Sequence, residues 1–327
     1  MAALVEAAKK EGTLNVIALP PDWVSYGEMI SGFEAKYGLK VSSTQPDPTN
    51  SEQISAATTL KGQSSAPDVF DLSGAVASAS SGMFAAYKVT TFDEVPAALK
   101  DPNGLWVNDY GGYLSIGYDA DKVPAPASVA DLLKPAYRGK VALNGDPTEA
   151  GSGLSIVVMA ALGQGGTADD ISKGVAFFKS LKAAGNFRTV SPTDDTIKSG
   201  QTPVVLDFDY LNVRQGVNLK EETNWKTFVP PGAIVGRYFA QAINKDAPHP
   251  AAARLWQEYL YSDEGRNRWL KGNARPAREA AMVKAGTIDQ AAYAALPKVT
   301  GSPIILTPAQ NDKAKAYLTA NWAAAIG

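Results

Sequence analysis

Thr13-Leu-Asn-Val-Ile-Ala-Leu19, Trp23-Val-Ser-Tyr-Gly-Glu-Met-Ile-Ser-Gly-Phe-Glu-Ala-Lys-Tyr37 and Leu39-Lys-Val-Ser-Ser-Thr44 decide the fold class. The first is a short apolar run bounded by Gly12 and Pro20, which predicts a buried strand. In the second, Trp23, Tyr26, Ile30, Phe33 and Tyr37 recur at helical spacing, and Gly38 stands where a helix stops. The third predicts another strand. Ser51–Leu60 then predicts a helix capped by Ser51. Asp68–Leu72 predicts a third strand, and Ser73 caps a helix reaching about Met83. Strand–helix–strand–helix–strand is the pattern of an α/β layer with a parallel sheet.

The alternation continues. Leu105–Asp119 reads as a strand containing Tyr110-Gly-Gly-Tyr113, and Ser128–Leu133 as a short helix. Lys140–Leu143 reads as a strand, followed by the polar turn Asn144-Gly-Asp-Pro-Thr-Glu-Ala-Gly-Ser-Gly153 and a helix over Leu154–Leu162. Gly163-Gln-Gly-Gly166 breaks that helix. Ile171–Ala184 and Asp194–Lys198 predict helices, and Phe187–Val190 and Val204–Leu206 strands. Arg237–Asn244 is strand-like. Pro250–Tyr261, Gly265–Lys271 and Ala-rich Asp312–Ile326 are helical. The chain therefore holds two α/β domains, as its 327 residues suggest at about 100–200 residues per domain.

Composition narrows the function. Apolar residues make up 45% and charged residues 20% of the chain, an ordinary globular balance. Thirty-one Lys+Arg against thirty-three Asp+Glu give a net charge of −2, which argues against nucleic acid as a partner. The chain has no Cys, which excludes thiol nucleophiles, disulfides and zinc thiolate sites, and its single His249 excludes a multi-His metal centre. Pro248-His-Pro250 reads as a rigid exposed turn. The N-terminus predicts an amphipathic helix, not a signal peptide. Phosphate-loop, dinucleotide, serine-hydrolase and zinc-protease motifs are all missing, so no catalytic residue, metal ligand or cofactor site is expected.

What the sequence does offer is polar and aromatic residues just after strands, where open α/β sheets bind ligands. Asp22 and Trp23 follow the first strand. Ser73 follows the third and opens a helix. Tyr110 and Tyr113 stand near the domain change. Asp146, Thr148 and Ser152 lie in the polar turn ahead of a helix. Asp207 ends an apolar strand, where a carboxylate is costly unless paired. Its partner is either a cationic ligand or a protein group such as Arg188 or Arg214, unless it caps a helix. Asp209 reads as a cap or as solvated. Arg188, on a short strand, suits a carboxylate clamp or a structural ion pair. Arg237, beside Phe239, is a second candidate for a carboxylate or phosphonate. Ser73 and Ser152 sit at helix starts, which favour anions, though ordinary capping serves equally. Trp23, Tyr26, Tyr110 and Tyr113 suit an aromatic box for an ammonium, with Tyr26 also fitting a helix core.

The chain resembles the periplasmic solute-binding proteins of bacterial ABC importers, in the family 1, type II group that takes polyamines, iron, 2-aminoethylphosphonate and γ-aminobutyrate. The resemblance is carried by Leu4-Val-Glu-Ala-Ala-Lys-Lys-Glu-Gly12, Pro67-Asp-Val-Phe-Asp-Leu-Ser73, Gly145-Asp-Pro-Thr148 and Val205-Leu-Asp-Phe-Asp-Tyr-Leu-Asn212. Ala242-Ile-Asn-Lys245, Tyr259-Leu-Tyr-Ser-Asp-Glu-Gly265 and Lys271-Gly-Asn-Ala-Arg-Pro276 extend it over nearly the whole chain. It is nearest to the γ-aminobutyrate and amine subgroup around Pro21-Asp-Trp23, Asp207-Phe208 and Gly272–Pro276.

The resemblance implies an α/β, two-lobed type II periplasmic binding fold with a ligand cleft between hinged lobes. Residues 1–108 and 239–327 would form one lobe and 109–238 the other. It maps the amine-binding Asp to Asp207 and an acid-binding Arg to Arg188. Iron binders of the group usually carry adjacent tyrosines, and no such pair occurs here. The implied partners are a small amine or amino-acid-like ligand and a membrane ABC permease, with the protein monomeric and free of cofactors. The implied location is periplasmic, or extracellular and membrane-anchored, with no leader within this chain.

Overall fold

Thr13–Val16 and Lys40–Ser43 pair in parallel, Thr13 opposite Lys40 and Val16 opposite Ser43. The helix between them stops at Gly38, whose φ of 70° is the left-handed cap that glycine adopts without strain. The computed structural model describes all 327 residues. In chain order the elements are α1 (Ala2–Glu11), β1 (Thr13–Val16), α2 (Tyr26–Tyr37), β2 (Lys40–Ser43), α3 (Asn50–Thr59), β3 (Val69–Ser73), α4 (Gly74–Ala79), β4 (Phe84–Ala85) and β5 (Trp106–Asp119). Then come β6 (Val141–Leu143), α5 (Gly151–Gly163), α6 (Ser172–Ala183), α7 (Asp194–Lys198), β7 (Val204–Phe208), α8 (Asp209–Asn218), β8 (Trp225–Phe228) and β9 (Val235–Asn244). The chain ends with α9 (Pro250–Tyr261), α10 (Asp263–Lys271), β10 (Arg275–Pro276), α11 (Glu279–Ala285), α12 (Gln290–Ala295), β11 (Ile304–Ile305) and α13 (Pro308–Ile326).

The chain divides into two compact units, Met1–Gly111 with Tyr238–Tyr293, and Gly112–Arg237 with Ala294–Gly327. Two strands are shared: β5 crosses between Gly111 and Gly112, and β9 crosses between Arg237 and Tyr238.

In the first unit, β3 runs antiparallel to β9, from Val69 opposite Ile243 to Ser73 opposite Phe239. The sheet is therefore mixed where the alternating pattern predicts a parallel one. The return strand β9 comes from far along the chain, and local pattern does not reveal its direction. Ile17, Phe70, Leu72, Phe84, Ala240 and Ala242 form one core cluster. Helix α3 is capped by Thr49 and not by Ser51: Thr49 Oγ1 accepts the Glu52 N–H, and the Glu52 carboxylate accepts the Thr49 N–H.

In the second unit, β7 runs antiparallel to β5 and parallel to β6. Phe187 makes only an isolated bridge to Val141, so the strand expected over Phe187–Val190 does not form. Helix α8 and strand β8 were not foreseen from the sequence. The C-terminal segment departs from the expected division, since Ala294–Gly327 belongs to the second unit. Ala314, Leu318 and Trp322, four residues apart, are the buried stripe of α13. Helix α13 packs on α6 and α5, with Trp322 edge-on to Phe178 at 5.2 Å.

Candidate functional site

Each unit carries a cluster of polar side chains at strand ends. In the second unit, Asp207 is the fourth residue of fully buried β7 and is 7% exposed. Its Oδ1 accepts the Phe208 N–H at 2.8 Å and its Oδ2 accepts from Asn144 Nδ2 at 2.9 Å. Burial pushes its pKa up to about 7, against the lowering effect of these two bonds. No Lys or Arg pairs with it, so the protein partners Arg188 and Arg214 expected as alternatives are replaced by the neutral Asn144. Phe208, and not Asp207, holds the cap position of α8.

Asp209 is neither a cap nor solvated. It is fully buried in the first turn of α8, where Oδ1 accepts the N–H groups of Tyr113 at 2.9 Å and Tyr210 at 3.0 Å. Gly112 makes room for it, because a Cβ there would overlap Asp209 Oδ1 and Tyr210.

Arg188 stands elsewhere. It is exposed, and its Nε donates to the Gly139 carbonyl at 2.6 Å. Gly139 precedes β6, whereas Asn144, the partner of Asp207, follows it. Arg188 makes no bond to Asp207, and lines a recess with Gly145, Asp146 and Pro147.

Arg237 has different surroundings from Arg188. It lies on β9, and β9, β5 and β7 are successive neighbours in the sheet. Asp207 faces Ser115 on β5, and a Cβ at Gly236 would lie 3.3 Å from the Tyr113 ring. Arg237 and Asp207 thus reach the same sheet end, two strand spacings or about 10 Å apart at the backbone. Half-buried Arg237 makes no hydrogen bond and no ion pair. Burial lowers its pKa, with Tyr210 opposing. Its guanidinium lies over Gly151, the first residue of α5, a helix that no side chain caps. Ser152 occupies the first turn of α5 and does not precede it. Asp146 and Thr148 bond to each other: Thr148 N–H and Oγ1 donate to Asp146 Oδ1 at 2.7 and 2.5 Å, which shapes the turn.

In the first unit, half-buried Trp23 donates from Nε1 to Tyr110 Oη at 2.9 Å. Tyr110 and Tyr26 both donate to Asp71 Oδ2, at 3.0 and 2.8 Å, and Gln241 donates to Tyr26 Oη at 2.9 Å. The Tyr110 ring stacks on half-buried Phe239 at 5.1 Å, and Trp23 meets Phe239 edge-on. Three members of the expected aromatic box therefore gather. Tyr113 belongs to the second unit, where it packs with Val229 and Ile234. Tyr26 and Tyr110 are fully buried, which fits the core role read for Tyr26.

The turns beneath Trp23 are strained. Ala18, Val24 and Ser25 have φ of 60°, 38° and 68°. For β-branched Val24 such a conformation costs roughly 1–3 kcal/mol and persists only where packing enforces it. Gly272 supplies that packing, since a Cβ there would lie 2.6 Å from the Val24 carbonyl carbon.

Ser73 is 5% exposed; its N–H donates to Asn50 Oδ1 and its side chain caps nothing. With α4 only six residues long, Ser73 does not make an anion site. Asp22 is exposed. His249 is not in an exposed turn: its Nδ1 lies 2.9 Å from Asp68 Oδ2 with the side chain 15% exposed.

Asp71, Asp109 and Arg266 are among the buried charges that sequence reading missed. Burial raises Asp71 to about 7, and burial together with Asp71 raises Asp109 well above the carboxylate range. Arg266 lies over the Tyr261 ring at 3.9 Å and donates to the Asp109 carbonyl. Val69-Phe-Asp-Leu-Ser73 carries the same signal as Val204-Val-Leu-Asp-Phe208, a carboxylate inside an apolar strand, and that signal marks Asp71 as well as Asp207.

Several known proteins are similar to this chain. Iron-bound HitA from Pseudomonas aeruginosa superposes with a TM-score of 0.67 at 22% identity, over 94% of this chain and 97% of that one. AgtB of A. tumefaciens R10, in complex with agropinic acid, superposes with a TM-score of 0.70 at 16% identity, over 96% and 98%. The spermidine/putrescine ABC transporter substrate-binding protein PotD of Streptococcus pneumoniae gives 0.69 at 14% identity, over 96% and 99%. At such identities the likeness carries the two-lobed α/β binding-protein fold, not the solute. No curated protein sequence matches the chain. The family model for bacterial extracellular solute-binding proteins matches residues 67–322, well over half of the length. The chain belongs to the bacterial extracellular solute-binding protein family.

Proposed function

We propose that the chain is the non-catalytic substrate-binding component of an ABC importer for a small solute carrying both an amine and an acid group, such as γ-aminobutyrate or 2-aminoethylphosphonate. The observation that carries this reading is the pair Asp207 and Arg237. Both lie at one sheet end, and neither has a charged protein partner. A carboxylate and a guanidinium held apart in this way suit a ligand that supplies the opposite charge to each. The amine would meet Asp207. The acid group would meet Arg237 and the free N–H groups opening α5.

Each charge-assisted hydrogen bond contributes roughly 1.5–3 kcal/mol. Three or four such bonds approach the roughly −8 kcal/mol of a micromolar site. Arg188, Asp146 and Thr148 have no part in the proposed site. The protein would work as a monomer in the periplasm and deliver the solute to a membrane permease. No helix is long and apolar enough to cross a membrane.

A polyamine is the second reading, favoured by the buried Asp209 two residues from Asp207 and by exposed Asp22. The Arg237 guanidinium opposes it by like-charge repulsion. A thermal-shift series with γ-aminobutyrate, 2-aminoethylphosphonate, putrescine, spermidine and ferric citrate separates the readings. Stabilisation by the first two alone supports the zwitterion. Stabilisation by the polyamines alone would transfer the function to the second reading, and by ferric citrate alone would remove both.

A further inference from the structure

Three glycines stand close together in the turn and helix start Gly145–Gly153, and their missing side chains serve different ends. Gly145 has a φ of 81°, a conformation other residues resist. A Cβ at Gly153 would lie 2.5 Å from the Gly145 carbonyl and 2.7 Å from the Pro147 nitrogen, so Gly153 lets the turn pack on α5. Gly151 answers to neither need. It has ordinary helical backbone, and the nearest atoms a side chain there would meet belong to the guanidinium of Arg237, overlapping Nη1, Cζ and Nη2.

The first helical position of a 13-residue helix would fold more readily with alanine than with glycine. The arginine is thus what the bare Cα most closely accommodates. That arginine lies over the positive end of the α5 dipole with no protein anion beside it. Like polarities are brought together there, an arrangement favourable only when an anion joins them.

We infer that Gly151 is a specificity-determining residue: its missing side chain seats Arg237 at the start of α5, and so restricts the solute to molecules that carry an acid group. This rests on the zwitterion reading above and adds to it the residue that sets the charge class. A side chain at 151 would displace the guanidinium and leave Asp207 untouched. The selectivity of the protein would then move from amino acids toward simple amines.

The test is a double-mutant cycle of Gly151→Ala and Arg237→Ala, with γ-aminobutyrate, 2-aminoethylphosphonate and putrescine titrated into each protein by calorimetry. Gly151→Ala is expected to weaken both acid-bearing solutes at least tenfold, to leave putrescine unchanged or tighter, and to keep or raise the melting temperature of the free protein. The double variant should bind no more weakly than Arg237→Ala alone, because glycine acts through the arginine. If Arg237→Ala weakens the acid-bearing solutes and Gly151→Ala does not, this inference falls while the zwitterion reading stands. Additive losses would also overturn it, since Gly151 would then act without Arg237. If neither acid-bearing solute binds the native chain, or if Arg237→Ala changes nothing, the zwitterion reading falls and takes the inference with it.

Discussion

Asp207 combines two demands that pull against each other. Burial raises its pKa to about 7, so the folded protein holds a proton there that the unfolded chain releases near pH 4. Its contribution to stability is therefore full below about pH 4 and is lost as pH rises through 7. Solute affinity runs the other way, because an ammonium needs the ionised carboxylate. Affinity for an amine-bearing solute should fall about tenfold per pH unit below 7. Calorimetry between about pH 5 and pH 8 measures this, and Asp207→Asn should bind weakly with a flat profile; an equally steep profile in that variant would move the titrating group elsewhere. The two arginines make a paired prediction. Arg237→Ala should cost acid-bearing solutes at least tenfold, roughly 1.4 kcal/mol, while Arg188→Ala should cost nothing, its guanidinium being engaged with the Gly139 carbonyl.

At the scale of elements, periodicity told much and pairing told less. Helices α2, α7 and α9 lie within two or three residues of their predicted bounds, because Gly38, the Thr193 cap and Pro250 punctuate them locally. The antiparallel course of β9 against β3, and the docking of α13 on α6, depend on residues more than a hundred positions away, which no local signal specifies. The strand expected at Phe187–Val190 failed for a related reason. Its composition suits a strand, but only Phe187 finds a partner. At the candidate site, Asp207 was legible because a carboxylate inside an apolar run breaks the pattern, whereas the proposed preference for Arg237 over Arg188 rests on tertiary neighbours that no local signal shows.

Two element junctions carry stability predictions. Asp68 is fully buried and accepts from the Asn15 N–H, the His249 N–H and His249 Nδ1, which ties β1 to the start of α9. Asp68→Ala leaves two backbone N–H groups without acceptors, at about 1–3 kcal/mol each. A loss of several kcal/mol in urea unfolding is expected, and a loss under about 1 kcal/mol would mean the junction is held otherwise. Trp322→Ala removes the ring that seats α13 on Phe178 and should cost about 3–5 kcal/mol. An unchanged urea midpoint would place the anchor of α13 at Ala314 and Leu318 instead.

For the molecule as a whole, pH dependence turns on the buried acid pair Asp71 and Asp109 of the first unit. Asp71 is faced by Tyr26 from α2 and Tyr110 from β5. Asp109 is faced by Asp71 and by Arg266 from α10, with Tyr261 of α9 and Gln241 of β9 completing the shell. Arg266 opposes the rise at Asp109 and only tyrosine hydrogen bonds oppose it at Asp71, and both carboxyls have folded pKa values above the ordinary range. Stability is therefore expected to be greatest in mild acid and to fall as pH rises through 7, by an amount of order 1 kcal/mol per pH unit. Asp71→Asn should flatten that slope and raise the melting temperature at about pH 8; a slope unchanged by it would assign the titration to Asp109 or Asp207.

The central claim is that this solute-binding protein recognises an amine and an acid on one small molecule. Calorimetric titration of γ-aminobutyrate into the native protein and into Arg237→Ala, with putrescine in parallel, tests it most directly. Binding of γ-aminobutyrate that weakens at least tenfold in the variant, with putrescine weak in the native protein, is the predicted result. Tight putrescine binding that does not depend on Arg237, with no heat from γ-aminobutyrate, would contradict it.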